Sequence, residues 1–237
     1  MTEAEGTTMR ILITGASSGI GAATARALAG PGRTLLLNGR NEAALQEVAA
    51  EVRGLGGTAE AHPADLGDDA AVQRLADGVR QPLDVLVHAA GVVGLGSVAE
   101  LPVAALDEQY RLNVRAPFAL TQALLPRLRE ARGLVVFVNS GAGQRAKPDW
   151  GGYAASKFAL RALADALRDE EAAAGVRVSS VYPGRTATPM QREVRRQEGG
   201  PYQPEAYLRP EAVANVIKDL IGVPASATVP DVSVRPG

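Results

Sequence analysis

The stretch Thr14–Gly21, with the sequence TGASSGIG, separates an apolar run at residues 10–13 from an alanine-rich segment at residues 22–29. The apolar run favours a buried strand and the alanines favour a helix, so the predicted order is strand, glycine turn, helix. This order is typical of a loop that binds a dinucleotide. Gly15 permits the tight turn, Gly19 lets the backbone approach a pyrophosphate, and Gly21 lets the helix pack closely. The alternative is a glycine turn in an α/β domain without a cofactor.

Length and composition are those of a globular protein. The chain has 237 residues, of which 46% are hydrophobic and 22% are charged, and we expect residues 1–237 to form one domain. The net charge of −1 gives no electrostatic attraction to nucleic acid or to an anionic membrane, so neither partner is expected. Without cysteine, disulfides, thiolate catalysis and cysteine-ligated metals are excluded, and no metal is expected.

The first residues carry no targeting pattern. Residues 1–8 are polar and acidic, without the basic start and apolar core of a signal peptide, and we expect them to be flexible. The longest apolar runs, of about six residues, are too short to span a bilayer. A cytoplasmic location is therefore the expectation.

Strand-like and helix-like patterns alternate along the chain. This alternation predicts repeated βαβ units and a parallel sheet covered on both faces. The predicted strands are Arg10–Thr14, Thr34–Asn38, Thr58–His62, Val85–His88, Leu134–Asn139, Val176–Tyr182 and Thr228–Val232. The predicted helices are Gly19–Ala29, Glu42–Arg53, Asp69–Val79, Val103–Arg132 with an interruption around Pro117, Gly152–Ala174 and Pro210–Ile221.

The segment Gly184–Arg209 is rich in Pro, Gly, Arg and Gln and is predicted to be irregular. Because ligands of open α/β sheets bind beyond the carboxyl ends of the strands, this segment is interpreted as a substrate lid. Its arginines, Arg192, Arg195 and Arg196, fit either an anionic substrate or a solvated helix face. Nearby, Trp150 is a candidate for the substrate wall.

The end of the second predicted strand bears on cofactor preference. NAD-selective domains usually place a carboxylate there, but this chain has Gly39 followed by Arg40, which can bind a 2′-phosphate. NADP(H) is therefore favoured over NAD(H), the alternative being a solvated surface arginine. Asp65, followed by Leu66, fits either a bond to the adenine amino group or an ordinary helix cap. His88 precedes small residues at the end of the fourth strand and is interpreted as a packed histidine.

Two residues of a predicted helix point to proton transfer. Tyr153 and Lys157 are spaced i and i+4, hence on one face of the helix, and Ser140 lies at the carboxyl end of the preceding strand. A phenol ordinarily has a pKa near ~10. We expect the Lys157 ammonium, with a positive nicotinamide nearby, to lower the pKa of Tyr153, which suits an alcohol–ketone conversion. Taken singly, each of the three residues also has an ordinary structural role.

Several of these motifs together carry a family resemblance. They are Thr14–Gly21, His88–Gly91, Asn113, Ser140, Tyr153, Lys157 and Pro183-Gly184. Over residues 10–232 the chain resembles the short-chain dehydrogenase/reductase family. The resemblance implies an α/β, three-layer Rossmann fold: a doubly wound, mostly parallel seven-stranded sheet with helices on both faces.

The resemblance also implies roles for residues. Tyr153 would be the general acid in reduction and the general base in oxidation, and Ser140 would bind the substrate oxygen. Lys157 would lower the tyrosine pKa and bind the nicotinamide ribose, and Asn113 would hold a water in a proton relay. The residues assigned to the cofactor are Gly15, Ser17, Ser18, Gly19, Ile20, Gly21, Arg40, Asp65, Leu66, Ala89, Ala90, Gly91, Tyr153, Lys157, Pro183, Gly184, Thr186 and Thr188.

One position departs from the family pattern. His88 stands where the family commonly has an asparagine, which implies the loss of a hydrogen bond at the sheet centre. The predicted function is NADPH-dependent reduction of a ketone or aldehyde. Two alternatives are an NAD-preferring dehydrogenase and a regulatory protein that senses NADP(H) without turnover. The resemblance further implies a homodimer or homotetramer packed through Val103–Arg132 and Gly152–Ala174, where Phe158 is expected in the core.

Overall fold

The central sheet has seven strands, all parallel, in the order β3-β2-β1-β4-β5-β6-β7. A computed structural model describes residues 8–237, so the expectation for residues 1–7 lies outside the described residues. The strands are β1 (Met9–Thr14), β2 (Arg33–Gly39), β3 (Thr58–Pro63), β4 (Val85–His88), β5 (Leu134–Val138), β6 (Arg177–Pro183) and β7 (Asp231–Val234). This sheet confirms the predicted Rossmann fold.

Helices cover both faces of the sheet. They are α1 (Gly19–Leu28), α2 (Glu42–Gly54), α3 (Asp69–Gly78), α4 (Val103–Tyr110), α5 (Ala116–Ala131), α6 (Gly151–Glu171), α7 (Pro189–Gln197) and α8 (Pro210–Gly222). Helices α1, α2 and α8 pack on one face, and α3, α5 and α6 pack on the other. Alternation within β1 explains the two cores, since Ile11 and Ile13 face the first layer and Leu12 faces the second.

The order of the strands reverses beside β1, because β2 and β3 lie on one side of it and β4 to β7 on the other. At such a switch point, the loops after neighbouring strands diverge to opposite faces and leave a crevice. The glycine stretch follows β1, and residues 89–91 follow β4. The topology therefore brings these two loops together at one edge of the sheet.

The segment Gly184–Arg209 was predicted to be irregular, but part of it is helical. It contains α7 and a 3-10 turn at Pro204–Ala206. Helix α7 begins with Thr188, whose hydroxyl accepts the backbone N–H of Gln191, and with proline in its first turn. Only Gln191 and Val194 of this helix are buried, so the sequence holds almost no apolar periodicity that would reveal it.

The predicted helix Val103–Arg132 is interrupted before Pro117 and not at it. Helices α4 and α5 are joined by a π turn at Arg111–Arg115, in which helical backbone angles continue and the N–H of Ala116 bonds the Arg111 carbonyl. Pro117 lies in the first turn of α5, where a missing N–H is tolerated.

The last strand is displaced from its predicted position at Thr228–Val232. Strand β7 begins at Asp231, directly after Pro230. Proline has no N–H for a strand ladder, which explains why the regular pairing starts one residue later. Within residues 8–237, none of the helices is both long enough and apolar enough to cross a membrane.

Candidate active site

The glycine turn after β1 is pressed against the end of β4. Gly15 has a positive φ of 67°, and a β-carbon there would lie 2.8 Å from the Ala90 nitrogen. A β-carbon on Gly21 would overlap the Gly15 carbonyl oxygen. The buried Thr14 hydroxyl accepts the N–H groups of Ala89 (3.1 Å) and Ala90 (3.2 Å), which joins the two loops. These contacts leave room only for glycine at positions 15 and 21.

A cleft of about 610 Å³ opens between these loops. It is lined by twelve of the residues assigned to the cofactor: Gly15, Ser17, Ser18, Gly19, Ile20, Arg40, Asp65, Leu66, Ala89, Ala90, Gly91 and Thr188. Helix α1 starts here, and Ser18 precedes it without a side-chain capping bond. The first N–H groups of α1 can therefore bind an anion in this cleft.

The far end of the first cleft is formed by the loop after β2. Arg40 is exposed there, and the close packing of Gly39 on Ser17 leaves no room for a side chain at position 39. Asn38 lines the same cleft and has a buried Oδ1 without a hydrogen-bond partner among the described residues. Asn38 directly precedes Gly39 and Arg40, and this adjacency is the one sequence signal that could have identified it.

Asp65 shapes its own loop and does not cap a helix. Its Oδ1 accepts the N–H of Gly67 at 2.9 Å, while the cap of α3 is Asp68, whose carboxylate accepts the N–H of Ala70. Of the two interpretations of Asp65, the helix cap is therefore wrong. The position of Asp65 on the wall of the cleft is compatible with the other interpretation, a bond to the adenine amino group.

A second cleft, of about 300 Å³, continues from the first. The two share a wall that includes Ile20, residues 89–91 and Thr188. Six further residues of the predicted site line it: Ser140, Tyr153, Lys157, Pro183, Gly184 and Thr186. The structure thus brings the glycine turn and the serine, tyrosine and lysine together, although they are far apart in the sequence.

Ser140 is held at the end of β5 by hydrogen bonds. Its Oγ accepts the N–H of Ala142 at 3.1 Å and so caps the 3-10 turn Gly141–Gly143. Its own N–H donates to Asn139 Oδ1, and Asn139 Nδ2 donates to the carbonyl of Lys157 at 3.1 Å. Asn139, which the sequence analysis did not single out, therefore connects β5 to the helix that carries the tyrosine.

Tyr153 and Lys157 lie one turn apart in α6, both almost fully buried. Burial raises the pKa of Tyr153 to about 12, and the Ser140 hydroxyl partly offsets this. Burial lowers the pKa of Lys157 to about 8. Lys157 alone therefore does not lower the pKa of Tyr153, and the effect of a nearby positive nicotinamide stays a prediction. The Lys157 ammonium donates to the Val138 carbonyl at 3.1 Å and lies 5.9 Å from the centre of the phenol ring, so loss of water around the phenol dominates.

Two of the predicted site residues lie behind the clefts. Gly21 is inside α1, where it lets the helix approach the glycine turn. Asn113 is fully buried in the π turn, and its carboxamide bonds the backbone of Val92 and the hydroxyl of Ser156. Asn113 nevertheless lies close to Lys157, because a β-carbon on Gly91 would be 2.9 Å from Asn113 Oδ1 and 3.9 Å from Lys157 Nζ.

The lid arginines do not line the clefts. Arg195 and Arg196 pair with the carboxylates of Glu198 and Glu193, and Arg192 lies over an aromatic ring. Besides Lys157, three cations line the second cleft: Arg145, Lys147 and Arg185. The sequence analysis did not single them out, because they belong to two separate loops.

Glu198, directly after α7, contacts cations that line the second cleft. It accepts two bonds from Arg185 (2.6 and 2.8 Å) and lies 3.7 Å from Lys147 Nζ. The hydrogen bonds from Arg185 and Arg195, with a smaller contribution from the charge of Lys147, lower the pKa of Glu198 to about 2. Lys147 in turn lies 4.1 Å from the ring centre of Trp150, which lines the cleft as the sequence predicted.

His88 is a packed histidine. It is buried, stacks on Phe137 with ring centres 5.0 Å apart, and has its Nε2 2.8 Å from Thr121 Oγ1. Burial lowers the pKa of His88 to about 3. His88 thus makes a hydrogen bond of its own to α5, while the loss of the asparagine's bond stays a prediction.

The doubly wound sheet, with a glycine turn and a long cleft at its switch point, defines the Rossmann class of nucleotide-binding proteins. The family model for short chain dehydrogenases matches residues 9–199. This chain therefore belongs to the short-chain dehydrogenase family and is an oxidoreductase of that type.

Individual relatives agree with this assignment. The oxidoreductase UcpA of Salmonella typhimurium is 34% identical over 214 residues, covering 88% of this chain and 81% of that protein. The structure is similar to an actinorhodin polyketide ketoreductase with NADPH, with a TM-score of 0.89, 29% identity and 98% of each chain covered. It is also similar to an alcohol dehydrogenase of Thermococcus sibiricus complexed with 5-hydroxy-NADP, with a TM-score of 0.87, 29% identity and 96% of each chain covered.

Proposed function

We propose that the protein is an NADPH-dependent carbonyl reductase that reduces a ketone or aldehyde, with Tyr153 as the proton donor. One observation carries the proposal: Ser140, Tyr153 and Lys157 line a cleft that continues into the cleft of the glycine turn. A cofactor in the first cleft and a carbonyl compound in the second would meet at the wall they share.

The first cleft fits a dinucleotide phosphate in shape and in chemistry. A β-carbon at Gly15 or Gly21 would close the turn, so the backbone is kept open where a pyrophosphate would bind at the start of α1. Arg40 offers a guanidinium fork at the position where an NAD-selective site has a carboxylate. Bound NADPH would supply the hydride for reduction. The NADP-bound relatives support the choice of NADP(H) over NAD(H).

The proton would come from Tyr153. With a pKa raised to about 12, the buried phenol is protonated at neutral pH and can donate to the oxygen of a reduced carbonyl. Ser140 has its Oγ fixed by the Ala142 N–H, which leaves its hydroxyl hydrogen to bond the same substrate oxygen. Lys157, whose ammonium is held by the Val138 carbonyl, would bind the ribose of the cofactor and supply positive charge to the phenol. Asn113 remains the candidate for the proton relay behind it.

The assembly proposed for the protein is a homodimer or homotetramer. Tyr110 on α4, Phe118 on α5 and Phe158 on α6 are 39%, 49% and 42% exposed. Phe158 is therefore not in the core, contrary to the sequence prediction. Exposed aromatic side chains on neighbouring helices are typical of an interface between subunits. A size measurement in solution tests this part of the proposal.

A protein that senses NADP(H) without turnover is the second candidate. Titration of the purified protein with NADPH and NADH, followed by NADPH oxidation with a panel of ketones and aldehydes, separates the candidates. We expect tighter binding of NADPH and turnover of at least one carbonyl compound. Binding without turnover across the panel would favour the sensor, and no binding of either nucleotide would overturn both.

A further inference from the structure

The side chain of Gln191 is buried in the second cleft without a hydrogen-bond partner. Gln191 lies in the first turn of α7, is only 6% exposed, and lines the same cleft as Ser140 and Tyr153. Its Nε2 is shielded from solvent and has no partner among the described residues. Few buried polar groups remain unpaired in proteins, so this carboxamide requires an explanation.

Helix capping does not supply the explanation. The sequence Thr188-Pro-Met-Gln191 matches a capping box, in which the threonine hydroxyl bonds the N–H of the glutamine and the glutamine side chain bonds the N–H of the threonine. Among the described hydrogen bonds only the first is formed, at 3.2 Å. Gln191 is instead one of the residues that line the second cleft.

An unpaired amide in this position favours a ligand with a matching group. A buried donor without a partner is less stable than one that bonds an acceptor. Because rotation of the amide exchanges Nε2 and Oε1, the side chain can present either a donor or an acceptor at this position. Neutral hydrogen-bonding sites of this kind discriminate strongly against analogues that lack the matching group.

We propose that Gln191 selects carbonyl substrates that carry a second oxygen function, such as a hydroxyl or a further carbonyl. This inference rests on the proposed carbonyl reduction. The reactive carbonyl would lie at Tyr153 and Ser140, and Gln191 would hold the second oxygen. The cations Arg145 and Lys147 line the same cleft, so an oxygen-rich compound meets donors along more than one wall.

The test compares cyclohexanone with its 2-, 3- and 4-hydroxy derivatives as substrates in the NADPH oxidation assay. Three variants are measured beside the wild type. Gln191→Met keeps the shape but removes the amide, Gln191→Asn keeps the amide on a shorter chain, and Gln46→Met is the matched control on the exposed face of α2. NADPH affinity is measured for each variant, so that a folding defect is separated from a change in selectivity.

We expect the wild type and Gln46→Met to prefer one hydroxyketone over cyclohexanone by about tenfold or more in kcat/KM. Gln191→Met should lower this preference by about tenfold, because kcat/KM falls for the hydroxyketone and stays unchanged for cyclohexanone. Gln191→Asn should retain more of the preference than Gln191→Met. An unchanged preference in Gln191→Met, with active enzyme, would overturn the role of Gln191 and leave carbonyl reduction intact. If no ketone is reduced by any form, the proposed function fails, and the inference fails with it.

Discussion

The two clefts are built in different ways. The first is made largely of backbone and small residues, and its shape depends on contacts such as that of Gly15 with the Ala90 nitrogen. The second is made of side chains, including the buried Tyr153, Lys157 and Gln191. An atom added to the first cleft should therefore impair cofactor binding or stability, whereas an atom removed from the second cleft should impair activity. A cofactor shared by many enzymes suits the first design, and a particular substrate suits the second.

The largest effect is expected from the removal of one oxygen atom in the second cleft. Tyr153→Phe should lower kcat/KM for carbonyl reduction by about 10³-fold, because the hydroxyl proposed to transfer the proton is lost. NADPH affinity, measured by fluorescence titration, should stay within about threefold. Tyr182→Phe removes the same atom from another buried tyrosine, outside both clefts, and should retain activity. Substantial turnover by Tyr153→Phe would assign the proton transfer to another group.

The next effect is expected from the addition of one carbon atom beside the first cleft. Gly21→Ala should destabilise the fold by about 3 kcal/mol and weaken NADPH binding, because the new β-carbon overlaps the Gly15 carbonyl. Chemical unfolding and nucleotide titration measure the two losses. Gly78→Ala, where a β-carbon meets nothing within 4 Å, is the matched control and should be nearly neutral. A stable Gly21→Ala protein that binds NADPH normally would break the contrast between the clefts.

A smaller effect concerns a side chain at the edge of the first cleft. Arg40→Asp should shift the ratio of NADPH to NADH affinity by about 30-fold toward NADH, since charge-assisted bonds to a phosphate are worth about 2 kcal/mol. Arg80→Asp makes the same change of charge at an exposed position outside the clefts. If both variants shift the ratio equally, overall charge and not Arg40 determines the preference.

The smallest effect concerns His88, which precedes the wall shared by the clefts. An unfolded histidine takes up a proton near its ordinary pKa of 6.5, whereas the pKa of folded His88 is about 3. Between these values the unfolded state binds more protons, so His88 lowers stability as the pH falls through this window.

Between pH 7 and pH 5.5, we expect the wild type to lose about 1 kcal/mol of unfolding free energy that His88→Asn does not lose. Equal losses in wild type and His88→Asn would mean that His88 is protonated in the folded state.

Most of the fold was predictable because it follows from local rules. Strand β1, the glycine turn and α1 are specified by neighbouring residues, and six of the seven strands lie within about a residue of their predicted bounds. Helix α7 was missed because it is short and polar, with only two buried residues. A capping-box search at Thr188 would have found its start.

The candidate site was predictable in its residue types but not in its electrostatics. The spacing of Tyr153 and Lys157 placed them on one helix face, yet the pKa of the tyrosine depends on how deeply α6 is buried, which the spacing does not determine. Likewise, the partner of each lid arginine and the isolation of Gln191 depend on contacts between segments far apart in the chain.

The π turn at Arg111–Arg115 has a consequence for helical phase. A π turn holds one more residue than an α-helical turn, and one residue corresponds to a rotation of about 100°. The extra residue therefore sets which face of α5 meets the sheet, so that Leu120, Leu124 and Leu128 are buried together. Deleting one residue from the turn would restore a regular helix but would turn these leucines toward solvent or pull Asn113 away from Ser156. The extra residue of the π turn thus links the packing of α5 on the sheet to the position of Asn113 behind the second cleft.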